Sequence, residues 1–241
     1  FLFFFAVKIT YIDIPFIGIT LPIPSFFLTL IPTKDTISMQ FLTKIQNDLL
    51  PAKIELIIIN PLNVVIAQIC ISLFLGFISV FPLILYQFIS YLSPALKKKE
   101  RKMIILSILP SFLLFIAGCL FSYLFFLPFT FKILYSYIVA VGVRPFFEIS
   151  QFISLSIVFT LVCGLIFLLP VFMTGLSALD VIDASVWKKN WHIAFIVFTI
   201  FSAIITPDNT GISMIFITIT LAILFILGYY GSRIVSKKLI Q

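Results

Sequence analysis

Glu100 is the one acid inside a run of bases, Lys97-Lys98-Lys99-Glu100-Arg101-Lys102. A carboxylate meets a planar guanidinium with two parallel hydrogen bonds, a geometry that a lysine ammonium does not match. The neighbouring bases favour the ionised form of Glu100. The segment therefore carries chemistry suited to holding an incoming arginine, which every other charge in the run repels. Taken alone, the pattern reads first as a solvated loop in which Glu100 only tempers repulsion, because charge runs are usually solvated faces.

Other reactive side chains are sparse. His192 is the single histidine, and it stands at the edge of an apolar run with no serine or cysteine that the sequence places beside it. A capping or interfacial role is expected for it. Cys70, Cys119 and Cys163 lie in apolar runs without CxxC spacing and read as small hydrophobes. Gly175-Leu176-Ser177 lacks the second glycine of an intramembrane serine-protease signature, and no GxxxxGK[ST] is present. The expectation is a protein that is not an enzyme, with no catalytic residue, metal or cofactor.

Whatever positions Glu100 must be built from very apolar material. The chain is 62% hydrophobic and 10% charged, with mean hydropathy +1.25. A soluble domain of this length cannot hide that much apolar surface in one core. A bilayer can, and in hydrocarbon the long apolar runs must be helices that satisfy their own backbone groups. The runs are too long and too uniformly apolar for a barrel. The expected class is an all-α polytopic membrane protein in a single transmembrane domain.

Six spans are expected. Residues 1–7 read as the remnant of span 1, lacking the basic flank of a signal peptide. Residues 8–61 form a long proline-rich outer loop of zero net charge. Within it, residues 36–50 have helical spacing suited to an interfacial helix, and the β-branched stretch 54–59 suits an extended strip. Span 2 covers 62–91, span 3 covers 103–137, span 4 covers 149–176, span 5 covers 192–205 and span 6 covers 212–232. Pro82, Pro110, Pro128 and Pro170 interrupt these runs and should bend them. The connections are a cytoplasmic loop at 92–102, an outer loop at 138–148, a cytoplasmic loop at 177–191, an outer turn at 206–211 and a cytoplasmic tail at 233–241.

Orientation follows from the bases. Lys97, Lys98, Lys99, Arg101, Lys102, Lys188, Lys189, Arg233, Lys237 and Lys238 fall in short segments on one side, against Lys8, Lys34, Lys44, Lys53 and Arg144 on the other. The positive-inside rule puts the first set in the cytoplasm, with both termini inside. The net charge of +7 is thereby explained by topology, without nucleic acid. Span 5 is anomalous. Its apolar run of about 13 residues covers only about 20 Å, leaving roughly 10 Å of a hydrocarbon core unmatched. A helix this short should seek a partner's helix, and Phe198 and Phe201 are the expected contacts.

Residues 87–101, QFISYLSPALKKKER, resemble the first cytoplasmic loop of the TatC family, the multispanning receptor subunits of the twin-arginine protein translocase. Pro94, Ala95, Leu96, Glu100 and Arg101 fall directly on that family's motif, and Tyr91 stands where the family usually has Phe. Ile205-Thr206-Pro207-Asp208 is similar to the family's turn between its last two short spans. GCLFSYLFFLP (118–128) and GLIFLLP (164–170) resemble glycine-to-proline patterns in its third and fourth spans. The long outer loop is similar to that of archaeal members.

The resemblance implies signal-peptide binding at Glu100, Arg101, Tyr91, Pro94 and Leu96, and partner-helix contacts at Phe198, Phe201, Thr206, Pro207 and Asp208. The implied partners are twin-arginine signal peptides of folded precursors, single-span TatA- or TatB-type subunits, further copies of the chain and the lipid bilayer. Export would draw on the proton gradient, in the cytoplasmic membrane of a prokaryote. The sequence departs from the family at Leu168, where an acid is common, and at Thr220, Phe225 and Ile226, where a proline and an aromatic-Glu pair are common. The competing reading is a secondary transporter or permease, which should bury carboxylates at mid-membrane.

Overall fold

The computed structural model describes residues 7–14, 19–26, 37–49, 55–92, 105, 107–140, 142, 146–179, 181–206 and 211–239. Two strands, β1 (Val7–Ile14) and β2 (Ile19–Phe26), form an antiparallel hairpin with Val7 opposite Phe26. Val7, expected in a helix remnant, therefore begins a strand, while the rest of that remnant lies outside the described residues. The helix α1 (Ile37–Leu49) follows. Its buried residues Leu42, Ile45 and Leu49 repeat at helical spacing, and Thr43, Lys44, Asn47 and Asp48 face outward. The β-branched strip supplies β3 (Glu55–Ile57), which pairs in parallel with β4 (Phe146–Glu148).

The remaining elements are helices: α2 (Leu62–Leu92), α3 (Ile108–Ala140), α4 (Ile149–Ala178), the short α5 (Ala184–Lys189), α6 (Trp191–Ile205) and α7 (Ile212–Leu239). Four of them, α2, α3, α4 and α7, are long and apolar enough to cross a membrane. Only 33% to 44% of the most apolar window of each is buried within the protein. The rest of those surfaces needs an apolar solvent, so the chain is a multi-pass helical membrane protein. The α6 helix has 15 residues and spans about 22 Å.

The prolines act through the hydrogen bonds they delete. In α3, the ring of Pro128 would crowd the carbonyl of Leu124, and the ladder widens there into a π turn over Ser122–Phe126. In α4, Pro170 has no N–H to offer Ile166. The helix relaxes at Phe167 and Leu168, where the Leu168 N–H donates to the Leu165 carbonyl at 3.0 Å, and resumes with Phe172 N–H donating to Leu168 at 2.9 Å. Pro110 sits in the first turn of α3, where its missing donor costs nothing.

Packing divides the chain into two units. One comprises residues 1–80 with 127–158, the other residues 81–126 with 159–241. In the first, Phe131, Phe152, Ile153 and Leu127 are fully buried, and Phe131 meets Phe152 with ring centroids 4.9 Å apart. An Asn63 Nδ2 hydrogen bond to Glu148 Oε1 adds a polar tie beside the β3–β4 pair. In the second unit, Phe81 stacks on Phe115 at 3.8 Å and Phe126 meets Phe159 edge-on at 4.9 Å. Gly118 lets α3 touch α4 backbone to backbone; a Cβ there would stand 2.7 Å from the Cys163 carbonyl oxygen and 2.9 Å from Gly164 Cα. Small residues at such crossings are how helices approach closely in lipid. The α7 helix packs on the second half of α4, with Gly228 against Met173 and Pro170.

Candidate functional site

The loop chemistry starts where α2 ends. Tyr91 lies in the last turn and is 81% exposed. Pro94, Leu96, Glu100 and Arg101 lie outside the described residues. What the helix contributes is the approach to the loop: residues 62–92 continue without a break past Pro82, and the helix ends five residues before Lys97, where the basic run begins.

The second expected region is more fully defined. Along α6 only Ser202 is buried, and Ile193, Phe195, Ile196, Val197, Ile200 and Ile204 are exposed. One face of α6, with Val197, Phe198 and Phe201, forms an apolar groove of about 450 Å³ with Leu165, Leu168, Phe172 and Leu221. Phe198 and Phe201 thus lie together, and with them Leu168. Thr206 closes α6, its N–H and its Oγ1 both donating to the Ser202 carbonyl at 3.0 Å. Pro207 and Asp208 lie outside the described residues.

Two arrangements escaped the sequence reading. Ser202 Oγ is 2.6 Å from Thr218 Oγ1, tying α6 to α7 by a buried hydrogen bond. The signal available was a hydroxyl in each of two apolar runs, but nothing in their spacing pairs them. The loop before α6 is also organised. Trp187 Nε1 donates to Ser177 Oγ at 3.3 Å, Ser177 Oγ donates to the Ile182 carbonyl at 2.8 Å, and the Trp187 ring meets Phe225 edge-on at 6.3 Å. His192, exposed in the first turn of α6, has its ring 3.8 Å from that of Trp191. Cys119 and Cys163 are buried free thiols inside the helices, and Cys70 is half-buried.

The exposed apolar faces of the four long helices define a polytopic membrane protein. Residues 3–220 match the family described as TatC, Sec-independent protein translocase protein. The chain is 30% identical over 190 residues to the TatC of Cenarchaeum symbiosum, covering 79% of this chain and 72% of that protein. It is 31% identical over 190 residues to the TatC of Carboxydothermus hydrogenoformans, covering 77% and 76%. A crystal structure of the twin-arginine translocase receptor TatC in DDM superposes with a TM-score of 0.71 at 27% identity, over 80% of this chain and 86% of that one. The chain belongs to the TatC family and is a core subunit of a twin-arginine, Sec-independent protein translocase.

Proposed function

We propose that this chain is the signal-peptide receptor of its translocase, with the loop 92–102 as the binding element and Glu100 as the group that receives the paired arginines. The observation that carries this reading is the lone carboxylate in an otherwise basic run, directly after the motif residues Pro94, Ala95 and Leu96. Tyr91, exposed in the last turn of α2, supplies an apolar surface beside the loop for the residues that flank the arginines. Six spans, with both termini and the 92–102 and 177–191 loops in the cytoplasm, bring this loop to the side where folded precursors wait. The long proline-rich loop 8–61 then faces outward, in the cytoplasmic membrane of a prokaryote. The chain has no catalytic step of its own; the proton gradient drives export.

Assembly uses α6. The groove lined by Phe198, Phe201 and Leu168 accepts the single transmembrane helix of a TatA- or TatB-type subunit, and the turn Thr206-Pro207-Asp208 contributes to the same contact. Leucine at 168 makes this groove apolar where many relatives offer an acid, so packing rather than a polar bond holds the partner here. The deciding experiment is site-specific crosslinking of the intact protein to a precursor bearing Arg-Arg, beside the same precursor bearing Lys-Lys. Adducts from loop 92–102 with the first and not the second are the expected result. Equal adducts with both would remove the receptor reading.

A further inference from the structure

A second groove, of about 400 Å³, runs between α6 and α7 at the end nearest the 177–191 loop. Its volume falls within the roughly 300–1,000 Å³ typical of clefts that hold small ligands. Phe195, Phe198, Phe225 and Ile226 line its length, Lys188, Trp191 and Tyr229 line it at the end beside the loop, and Lys188 is the one charged residue among them. Ala222, on α7, is the smallest residue lining it.

The arrangement is graded along one direction. Aromatic residues with a polar edge belong at the level of lipid headgroups, and a basic side chain belongs just beyond them. The basic side is reinforced: Lys189 and His192 are exposed beside Lys188 and Trp191. Arg233, also exposed, follows Tyr229 by four residues and so shares its face of α7. The nearest described acid, Asp183, stands at the other end of α5, where it is the N-terminal cap residue. The Lys188 backbone is held in place, because its neighbour Trp187 is fixed between Ser177 and Phe225.

We infer that this groove is the seat of one anionic phospholipid, with an acyl chain lying between α6 and α7 and the phosphate meeting Lys188. A transmembrane partner helix would suit the apolar lining but would gain nothing from a cation at one end. A zwitterionic lipid fills the groove equally well and loses the net charge attraction. The short α6 strengthens the case, since a helix about 22 Å long leaves the leaflet to bend around it, and a seated lipid fills that defect.

The test is native mass spectrometry of the full chain, titrated with phosphatidylglycerol or with phosphatidylcholine of the same acyl chains. Wild type should retain phosphatidylglycerol the more tightly, by roughly fivefold for one basic contact to an anionic headgroup. Lys188→Gln should abolish that preference, while Lys132→Gln, an exposed lysine on α3, should leave it intact. Ala222→Phe fills the groove and should weaken both lipids. Ile226→Trp does the same from an exposed position if Ala222→Phe fails to fold. Equal retention of the two lipids by wild type, or an unchanged preference in Lys188→Gln, overturns the assignment. So does a photo-crosslinker at Ile226 that captures polypeptide and not lipid in membranes.

Discussion

Ser202 Oγ and Thr218 Oγ1 lie 2.6 Å apart in the buried seam between α6 and α7. Ser202 is the only buried residue of α6, so this bond is the main polar tie on a helix whose other faces are turned outward. Each hydroxyl has a second contact within its own helix, Ser202 Oγ to the Thr199 carbonyl at 3.0 Å and Thr218 Oγ1 to the Met214 carbonyl at 2.9 Å. Losing the partner therefore leaves neither group stranded. Interhelical bonds of this kind couple by about 0.6 kcal/mol on average and reach about 1.7. Ser202→Ala and Thr218→Val should each lower thermal stability slightly in detergent. The double variant should fall short of the sum by that amount, and a fully additive cycle would mean that the pair does not couple.

A larger effect is expected at the α3–α4 crossing. Gly118→Ala drives a methyl to 2.7 Å from the Cys163 carbonyl oxygen, and backbone cannot step aside as a side-chain tip can. Overpacking of this kind costs about 1–3 kcal/mol. Gly175, by contrast, is helical with open space around its missing Cβ. Gly175→Ala should be neutral or stabilising by up to about 1 kcal/mol, since alanine is the better helix former. Comparing unfolding temperatures of the two variants checks the crossing directly; equal behaviour would contradict it.

The contrast between these sites shows what the sequence could reveal. The long helices were legible because lipid imposes one rule on every residue of a span, and uninterrupted hydropathy reports it. The α1 helix was legible from Ile37, Phe41, Ile45 and Leu49 for the same reason of period. The hairpin was not. Pro22 and Pro24 read as loop residues, yet they sit opposite Tyr11 and Ile9 in β2. Being two residues apart, both lack their N–H on the same edge of the strand, and an outer edge needs no donor.

The β3–β4 pair joins Glu55 to Phe146 across most of the first unit's sequence span, which no local pattern encodes. Of the candidate site, Glu100 was singled out by charge contrast together with the flanking Pro94-Ala95-Leu96 motif, and Phe198 and Phe201 by the shortness of their helix. That Leu168 lines the same groove needed the fold, because the break before Pro170 sets where its side chain falls.

Orientation yields a prediction from the distribution of bases. In a version without native cysteines, single cysteines at Ser93 and Ser185 should react only with reagents applied from the cytoplasm. One at Thr33 should react only from outside. Labelling of positions 33 and 93 from one side would remove the six-span arrangement.

The proposed partner-helix contact of α6 predicts the products of photo-crosslinkers at Phe198 and Phe201. In an active complex both should capture a single-span subunit, because both line one apolar groove with Leu168. Adducts with lipid alone at both positions would count against the contact. A crosslinker at Phe77, exposed on α2, controls for chance encounter.

Glu100 gives the decisive prediction. Charge-assisted bonds to a guanidinium contribute about 1.5–3 kcal/mol, which is roughly tenfold to a hundredfold in affinity. Glu100→Gln keeps the size and removes the charge; Glu100→Asp keeps the charge and shortens the reach by one methylene. Gln should therefore weaken binding of an Arg-Arg precursor by roughly tenfold to a hundredfold and Asp should lose part of it, while neither changes membrane insertion or helix content. If Glu100 only tempers repulsion among Lys97, Lys98, Lys99, Arg101 and Lys102, both variants bind nearly as wild type does. The two accounts separate most cleanly with the Lys-Lys precursor. An ammonium forms no bidentate pair, so Glu100→Gln should cost that precursor much less than it costs the Arg-Arg one. Equal losses for both precursors would mean that Glu100 supplies only bulk charge. Arg-Arg binding by Glu100→Gln within about twofold of wild type, far short of the loss a charge-assisted bond predicts, would remove this residue from the receptor site.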